Sequence, residues 1–198
     1  MKTNALKTLL TSCAVLTLLM TMPVQAQESV VTIKRDAKGG HNVELAEHEM
    51  GIEIKNKDKG DGLIVTELKE PISSGVVTFK LSYQSTMTQP KGYRNGMILM
   101  GSKRGAGNLV AVGTLIGGRA HVINVRDKKL LKNVKAEMKN DTKFDAVITV
   151  DIDAKTIKLD VNGTTVENQL PSKFLPIKFV GYSVANTSTA FSPITISK

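Results

Sequence analysis

The sequence predicts an all-β protein, built as a two-sheet antiparallel β-sandwich. Apolar and polar residues alternate over residues 144–152 and again over 157–161, which is the period-two pattern of strands with one buried and one wetted face. Asn162-Gly163, directly after the second run, is typical of a tight hairpin turn. About a dozen such short runs are separated by turn residues at close intervals, as expected of a sandwich.

The first 26 residues have the pattern of a secretory signal peptide. Lys2 and Lys7 supply positive charge, residues 9–22 are mostly apolar, and Val24-Gln25-Ala26 is a small-residue cleavage site. The apolar run is short for a bilayer span and no later stretch matches it, so we expect no transmembrane span. Cleavage would leave residues 27–198 as one exported domain of 172 residues, secreted or periplasmic.

Cys13 leaves a second localisation open. Leu10-Thr11-Ser12-Cys13 resembles the lipid-attachment box of bacterial lipoproteins, which would anchor the protein through this cysteine. Lys7 and an apolar run that lies mostly after the cysteine favour the signal peptide instead. Cys13 is the only cysteine, so we expect no disulfide in the exported domain.

The charge is strongly basic but widely spread. Removing Lys2 and Lys7 lowers the 27 basic residues to 25 against 18 acidic residues, and the net charge from +9 to +7. This excess favours anionic partners such as acidic polysaccharide, or simply a solvated lysine surface. Because the basic residues are not interleaved with aromatic residues, nucleic acid is not an expected partner.

In the first half of the domain, strands are predicted over residues 29–35, 63–66, 76–83 and 97–100. The last of these is continuously apolar, as expected of a strand buried on both faces. Residues 43–50 fit either a helical turn or a strand, and the alternation of Ile52 and Ile54 that follows favours strand. Polar or glycine-bearing stretches predict turns and loops over residues 36–41, 55–62, 84–95 and 101–107.

In the second half, residues 109–116 and 119–125 flank Gly117-Gly118 and predict a hairpin. Residues 130–138 favour a strand over an amphipathic turn. The last predicted strands, 177–184 and 191–196, are joined by a polar loop over residues 185–189. With five Phe and no Trp, the core must consist mainly of Val, Ile, Leu and Met, joined by four Phe in apolar patterns: Phe79, Phe144, Phe179 and Phe191.

Four segments resemble the concanavalin A-like jelly roll, and within it the laminin G-like branch. They are SGVVTFKLSYQ, NGMILMGS, FDAVITVDIDAKTIKLDVNG and IKFVGYSVANTSTAFSPITIS, and the resemblance covers residues 75–198. Phe144 is a departure, because the family frequently has Trp at that point. The resemblance implies a sandwich that binds carbohydrate or a cell-envelope partner, with calcium common at one rim.

The glycosidase motif of this jelly roll, Glu-x-Asp-x-x-Glu, is not matched. The nearest stretch, Asp151-Ile152-Asp153, lacks the second Glu, and alternation places both carboxylates on the wetted face. We therefore interpret them as surface residues and do not expect a retaining glycosidase.

The predicted ligand site consists of Tyr93 and Arg94 in a long loop, with Arg119 and His121 two apart on one strand. An exposed ring stacks on sugars and a cation contacts anionic groups, so this set suits an acidic polysaccharide or cell-surface glycan. Tyr182 is the other candidate for an exposed ring. Two alternatives stay open: a small polysaccharide lyase that uses His121 or Tyr93 for proton transfer, and a structural adhesion module without a small ligand.

The predicted metal site is a calcium site at Asp58, Asp61 and Asn186, whose side-chain oxygens suit that ion. The alternative is an ordinary hydrophilic turn. No other cofactor is expected, and the leading hypothesis is a non-catalytic carbohydrate-binding module.

Overall fold

The structure is a computed structural model that describes residues 28–58, 60–88, 95–115, 119–124, 129–135 and 141–198. These ranges hold fifteen strands and two single-turn 3-10 helices, Ala106–Asn108 and Ser172–Phe174. No helix in them is long and apolar enough to cross a membrane. The strands are β1 (Glu28–Val31), β2 (Val43–His48), β3 (Gly51–Asn56), β4 (Asp61–Ile72), β5 (Val76–Met87), β6 (Asn95–Gly101), β7 (Leu109–Leu115), β8 (Arg119–Asn124), β9 (Lys129–Lys135), β10 (Lys143–Asp151), β11 (Thr156–Val161), β12 (Thr164–Gln169), β13 (Ile177–Ala185), β14 (Thr187–Phe191) and β15 (Ile194–Ser197).

The strands form two antiparallel sheets. The nine-stranded sheet has the order β12-β11-β10-β5-β14-β3-β2, with β15 also beside β5 and β1 beside β15. The six-stranded sheet has the order β4-β13-β6-β7-β8-β9. Their facing sides enclose one large apolar core, so the predicted two-sheet sandwich is confirmed.

The alternation that predicted β10 and β11 is also confirmed. Ile148, Val150, Ile157 and Leu159 are completely buried in the core between the sheets. Asn162 and Gly163 have φ of 47° and 83°, the positive values that a tight two-residue hairpin needs. The chain then returns as β12, a strand that the sequence analysis did not predict.

Strand β6 is buried on both faces, as predicted. Ile98 and Met100 belong to the main core, whereas Met97 and Leu99 point to the other side of the sheet. There they join a second apolar cluster, which we call the outer cluster and which consists of Val65, Met97, Leu99, Leu109, Ala111 and Phe179. The six-stranded sheet is therefore apolar on both sides.

The predicted polar loop over residues 185–189 is wrong, because β14 begins at Thr187. Thr187 and Thr189 are completely buried, and the Thr189 hydroxyl donates to Thr187 Oγ1 at 3.2 Å. Ser85 Oγ lies 2.9 Å from Thr189 Oγ1 and completes this buried cluster. The loop predicted to begin at residue 84 is likewise wrong there, because β5 continues to Met87.

The other differences concern element bounds and one ambiguous segment. Residues 43–56 form the hairpin of β2 and β3, so strand was the correct choice over a helical turn. β1 ends at Val31, and β4 extends to Ile72 because it pairs along most of β13. The predicted turn at Gly117-Gly118 lies outside the described residues, but Leu115 and Arg119 pair on either side of it.

Candidate functional site

Two of the predicted ligand residues lie on β8 of the six-stranded sheet. Arg119 pairs with Leu115, and His121 pairs with Gly113. Gly113 in turn pairs with Met97, a member of the outer cluster. The ladder therefore fixes the backbone register of Arg119 and His121 on β8, while Tyr93 and Arg94 lie outside the described residues.

The ladder also shows where β6 begins relative to these two positions. Asn95, the first residue of β6, pairs with Leu115, which pairs with Arg119. Neighbouring strands are about 4.8 Å apart, so the backbone of Asn95 lies roughly 10 Å from that of Arg119. The four-residue site stays a prediction.

Tyr182 is not an exposed ring, so that hypothesis is wrong. Its side chain is completely buried, stacks on Phe191 at 4.2 Å and donates its hydroxyl to the Ser192 carbonyl at 2.7 Å. Tyr83 is equally buried and donates to Thr114 Oγ1 at 2.7 Å across the core. Burial raises the pKa of both phenols well above the usual range, which keeps them neutral.

The loop before β4 holds the predicted calcium ligand Asp58, ends at a second one, Asp61, and is organised by asparagine amides. The Asp58 backbone N–H donates to Asn42 Oδ1 at 2.9 Å, and Asn56 Nδ2 donates to the Asp58 carbonyl at 2.5 Å. Asn56 Oδ1 is buried and has no hydrogen-bond partner. A buried oxygen without a donor is one feature that a cation site would explain.

The third predicted ligand, Asn186, is close to this loop. Asp61 pairs with Ala185, the residue before Asn186, so the three predicted residues meet at one end of the sandwich. Two carboxylates are few for calcium, and the described residues contain no group of three His, Cys, Asp or Glu that could hold a metal ion. Calcium here would rely on neutral oxygens such as Asn56 Oδ1, and the site stays a prediction.

A second candidate surface is the outer side of the nine-stranded sheet. Hydroxyl groups there donate to carboxylates on neighbouring strands: Ser82 to Asp145 at 2.5 Å, and Ser188 to Glu53 at 2.6 Å. Thr86 donates to the carboxylate of Asp141 in the same way. We call this surface the polar face and define it as Glu53, Ser82, Gln84, Thr86, Asp141, Asp145 and Ser188.

The polar face presents fixed hydrogen-bond acceptors. A carboxylate that already accepts one hydroxyl has its orientation set and keeps further lone pairs for a ligand. Gln84 adds an amide whose Nε2 donates to the Asp141 carbonyl at 3.0 Å. The sequence analysis did not identify this surface, although the alternation in residues 76–83 had placed Ser82 on the wetted face.

Two clefts lie near β1, which belongs to the nine-stranded sheet, whereas β8 belongs to the other sheet. One of about 560 Å³ separates β1 from β4, with an apolar floor that includes Val31, Leu68 and Ile196. The other, of about 580 Å³, lies between residues 32–36 and the β2–β3 hairpin. Neither contains any residue of the predicted site or of the polar face.

No family model matches the chain, and no curated protein matches it in sequence. Solved structures do match in fold. The carbohydrate-binding module CBM66 from Bacillus subtilis aligns with a TM-score of 0.59 at 13% identity, over 86% of this chain and 95% of that chain.

Two plant lectins align equally well. A Lotus tetragonolobus seed lectin has a TM-score of 0.62 at 13% identity, over 87% of this chain and 99% of that chain. Basic winged bean lectin has a TM-score of 0.60 at 13% identity, over 87% and 98% of the two chains. The chain therefore has the concanavalin A-like jelly-roll β-sandwich fold that its sequence resembled.

Proposed function

We propose that this chain is an exported, non-catalytic β-sandwich module that binds carbohydrate. The supporting observation is its likeness in fold, over 86–87% of its length, to a carbohydrate-binding module and to lectins. A shared fold supports this function by analogy, and the surface chemistry supports it independently.

The surface chemistry favours sugar hydroxyls as ligand groups. The two middle strands of the polar face, β5 and β14, carry hydroxyl side chains that donate to carboxylates on the flanking strands, β10 and β3. Such groups recognise the hydroxyls of a sugar by charge-assisted hydrogen bonds. The polar face and the predicted site on β8 are thus the two surfaces to test.

Ring stacking would depend on Tyr93. The sequence has five Phe and three Tyr, and the seven of these rings that the structure describes are buried, which leaves Tyr93 outside the described residues. A stacked sugar needs an accessible ring face, so Tyr93 is the residue for that role in our proposal.

Export is part of the proposal. Residues 1–26 act as a signal peptide, and residues 27–198 form the domain that reaches the periplasm or the medium. Mass spectrometry of the protein recovered from an exporting host should show a chain that begins at Gln27. A diacylated chain that begins at Cys13, lost in Cys13→Ser, would show lipid anchoring instead.

A glycan array tests the binding. We expect the purified protein to bind a subset of glycans, and Asp145→Asn and Tyr93→Ala to weaken that binding without changing the melting temperature. Lys158→Ala, an exposed change on β11, is the matched control. Repeating the array with a chelator shows whether calcium contributes through Asp58, Asp61 and Asn186.

Two outcomes would replace the proposal. Binding to no glycan on a broad array would favour a structural module without a small ligand. Release of unsaturated ends from alginate or pectate, abolished by His121→Ala, would show a lyase.

A further inference from the structure

The turn between β6 and β7 carries an arginine that is held in place on an aromatic ring. Arg104 Cζ lies 5.5 Å from the ring centroid of Phe179, which belongs to the outer cluster. The guanidinium therefore crosses the end of the six-stranded sheet from the turn to β13. Contact with the face of a ring is favourable for a planar cation and limits its rotamers.

The guanidinium of Arg104 also lies against the backbone of a glycine, Gly39. A Cβ at Gly39 would stand 2.9 Å from Arg104 Nη1, and Gly39 has φ of 91°, where L side chains are disfavoured. The backbone at residue 39 thus leaves the space that Arg104 occupies. Arg104 is exposed although it is positioned between these two neighbours, and neither of them is a carboxylate.

A second cation belongs to a segment that is hydrogen-bonded to this turn. Ser102 Oγ donates to the Lys173 carbonyl at 2.6 Å, which joins the turn to the short helix Ser172–Phe174. Lys173 Nζ lies 5.2 Å from the Phe174 ring centroid. Arg104 on the Phe179 ring and Lys173 on the Phe174 ring therefore belong to two segments, and the hydrogen bond from Ser102 to Lys173 joins these segments.

Basic residues adjoin Arg104 and Phe179 in the sequence. Lys103 and Lys178 are exposed neighbours of Arg104 and Phe179 in sequence, and the acidic residue that pairs with Phe179 is Glu67, also exposed. Basic residues therefore outnumber this carboxylate at this end of the sheet. We call Lys103, Arg104 and Lys173 the basic corner.

We propose that the basic corner binds the anionic groups of an acidic polysaccharide, sulfate or carboxylate, with Arg104 as the principal contact. This inference rests on the proposed carbohydrate function and adds the class of sugar. A guanidinium offers paired N–H donors that match the oxygens of either group, and a fixed one loses little conformational freedom on binding.

Isothermal titration of the purified protein tests this at physiological salt. The probes are dextran sulfate for sulfate, polygalacturonate for carboxylate, and uncharged dextran as the backbone control. We expect Arg104→Ala to weaken binding of the charged probes about tenfold, the loss typical of one charge-assisted contact. Arg104→Lys keeps the charge without the paired donors, so it should recover only part of this loss.

The matched control is Lys158→Ala, which removes one exposed charge from β11 of the other sheet. We expect it to weaken binding less than about twofold, since a single remote surface charge contributes little at this salt concentration. Phe179→Leu tests the ring support separately and should weaken binding while Arg104 is retained. Circular dichroism and the melting temperature of each variant confirm folding.

Equal effects of Arg104→Ala and Lys158→Ala would overturn the inference, because they would show general electrostatic attraction only. Failure of the unaltered protein to bind either charged probe would also overturn it. Binding of neutral glycans on the array in that case would leave the proposed carbohydrate function standing. A preference between the two charged probes identifies sulfate or carboxylate as the recognised group.

Discussion

The outer sides of the two sheets differ in what they bury. On the nine-stranded sheet the outer side is the polar face, where serine and threonine hydroxyls donate to carboxylates on adjacent strands. On the six-stranded sheet the outer side carries the outer cluster, whose central residues Leu99, Leu109 and Ala111 are completely buried. Both sheets have the same antiparallel ladder, so the difference lies entirely in the side chains.

Because of this difference, we expect the two sheets to contribute differently to stability and to ligand contacts. A sheet with one wetted face tolerates substitution there and can present ligand contacts. A sheet that is apolar on both faces contributes stability from both, and its ligand contacts fall to its turns and ends. The positions of Arg104 in a turn and of Arg119 at the first residue of β8 agree with this division.

The largest effect is expected from truncating the outer cluster. Leu99→Ala should lower the free energy of unfolding by about 2–5 kcal/mol, because it removes buried methyl groups and leaves a cavity. Val147→Ala, at an outward position of β10 on the nine-stranded sheet, should cost less than about 1 kcal/mol. Urea unfolding measures both, and similar losses for the two variants would contradict the comparison.

A smaller effect is expected from the buried hydroxyls of β14. Thr189→Val keeps the shape but removes the hydrogen bonds that the Thr189 hydroxyl makes with Ser85 and Thr187, at a cost of about 1–3 kcal/mol. Its control is the adjacent Ser188→Ala on the polar face, which should cost less than about 0.5 kcal/mol. Urea unfolding measures both variants. An unchanged free energy of unfolding in Thr189→Val would show that water already satisfies this cluster.

The next effect concerns the hydrogen bond that joins the sheets across the core. Tyr83→Phe leaves the Thr114 hydroxyl buried and unpaired, which should cost about 1 kcal/mol at neutral pH. Because burial raises the pKa of Tyr83, the folded phenol keeps its proton above pH 10, where the unfolded phenol loses it. The free energy of unfolding should therefore be steady up to about pH 9 and fall above pH 10.

The alkaline decrease has its own control. Burial also raises the pKa of Tyr182. The double variant Tyr83→Phe with Tyr182→Phe should therefore flatten the profile of unfolding free energy above pH 10. A decrease of the same slope in the double variant would assign it to other groups. Thermal unfolding between pH 7 and 11 gives the profile.

The smallest effect on stability is expected at the polar face. Asp145→Asn keeps the shape and the contact with Ser82, so it should change the free energy of unfolding by less than about 0.5 kcal/mol. Its effect on glycan binding should be larger than its effect on stability. The opposite order would argue that this surface is structural.

The sequence predicts the fold well where one rule decides the side-chain pattern. Alternation identified β10 and β11, and the continuous apolar run identified β6, because each pattern reports burial directly. The same rule failed at β14, since buried Thr187 and Thr189 look like loop residues until the partner hydroxyl of Ser85 is known. That partner lies 104 residues away in the chain.

The candidate surfaces show the same limit. Arg119 and His121 could be assigned to one strand from their spacing, and the structure places both on β8. The polar face could not be predicted as a unit, because its pairs join residues 63 and 135 positions apart. The basic corner depends likewise on Phe179 lying under Arg104, a contact between β13 and the β6–β7 turn.

The pairing of β1 with β15 places Glu28 opposite Ser197, so both ends of the described chain leave the sandwich at one point. A short flexible linker between these ends, with new termini opened in the exposed Lys103–Gly105 part of the β6–β7 turn, would give a circular permutant that preserves every strand. A fusion partner attached at either end would likewise be tethered beside β15, on the opposite side of the sheet order from β12.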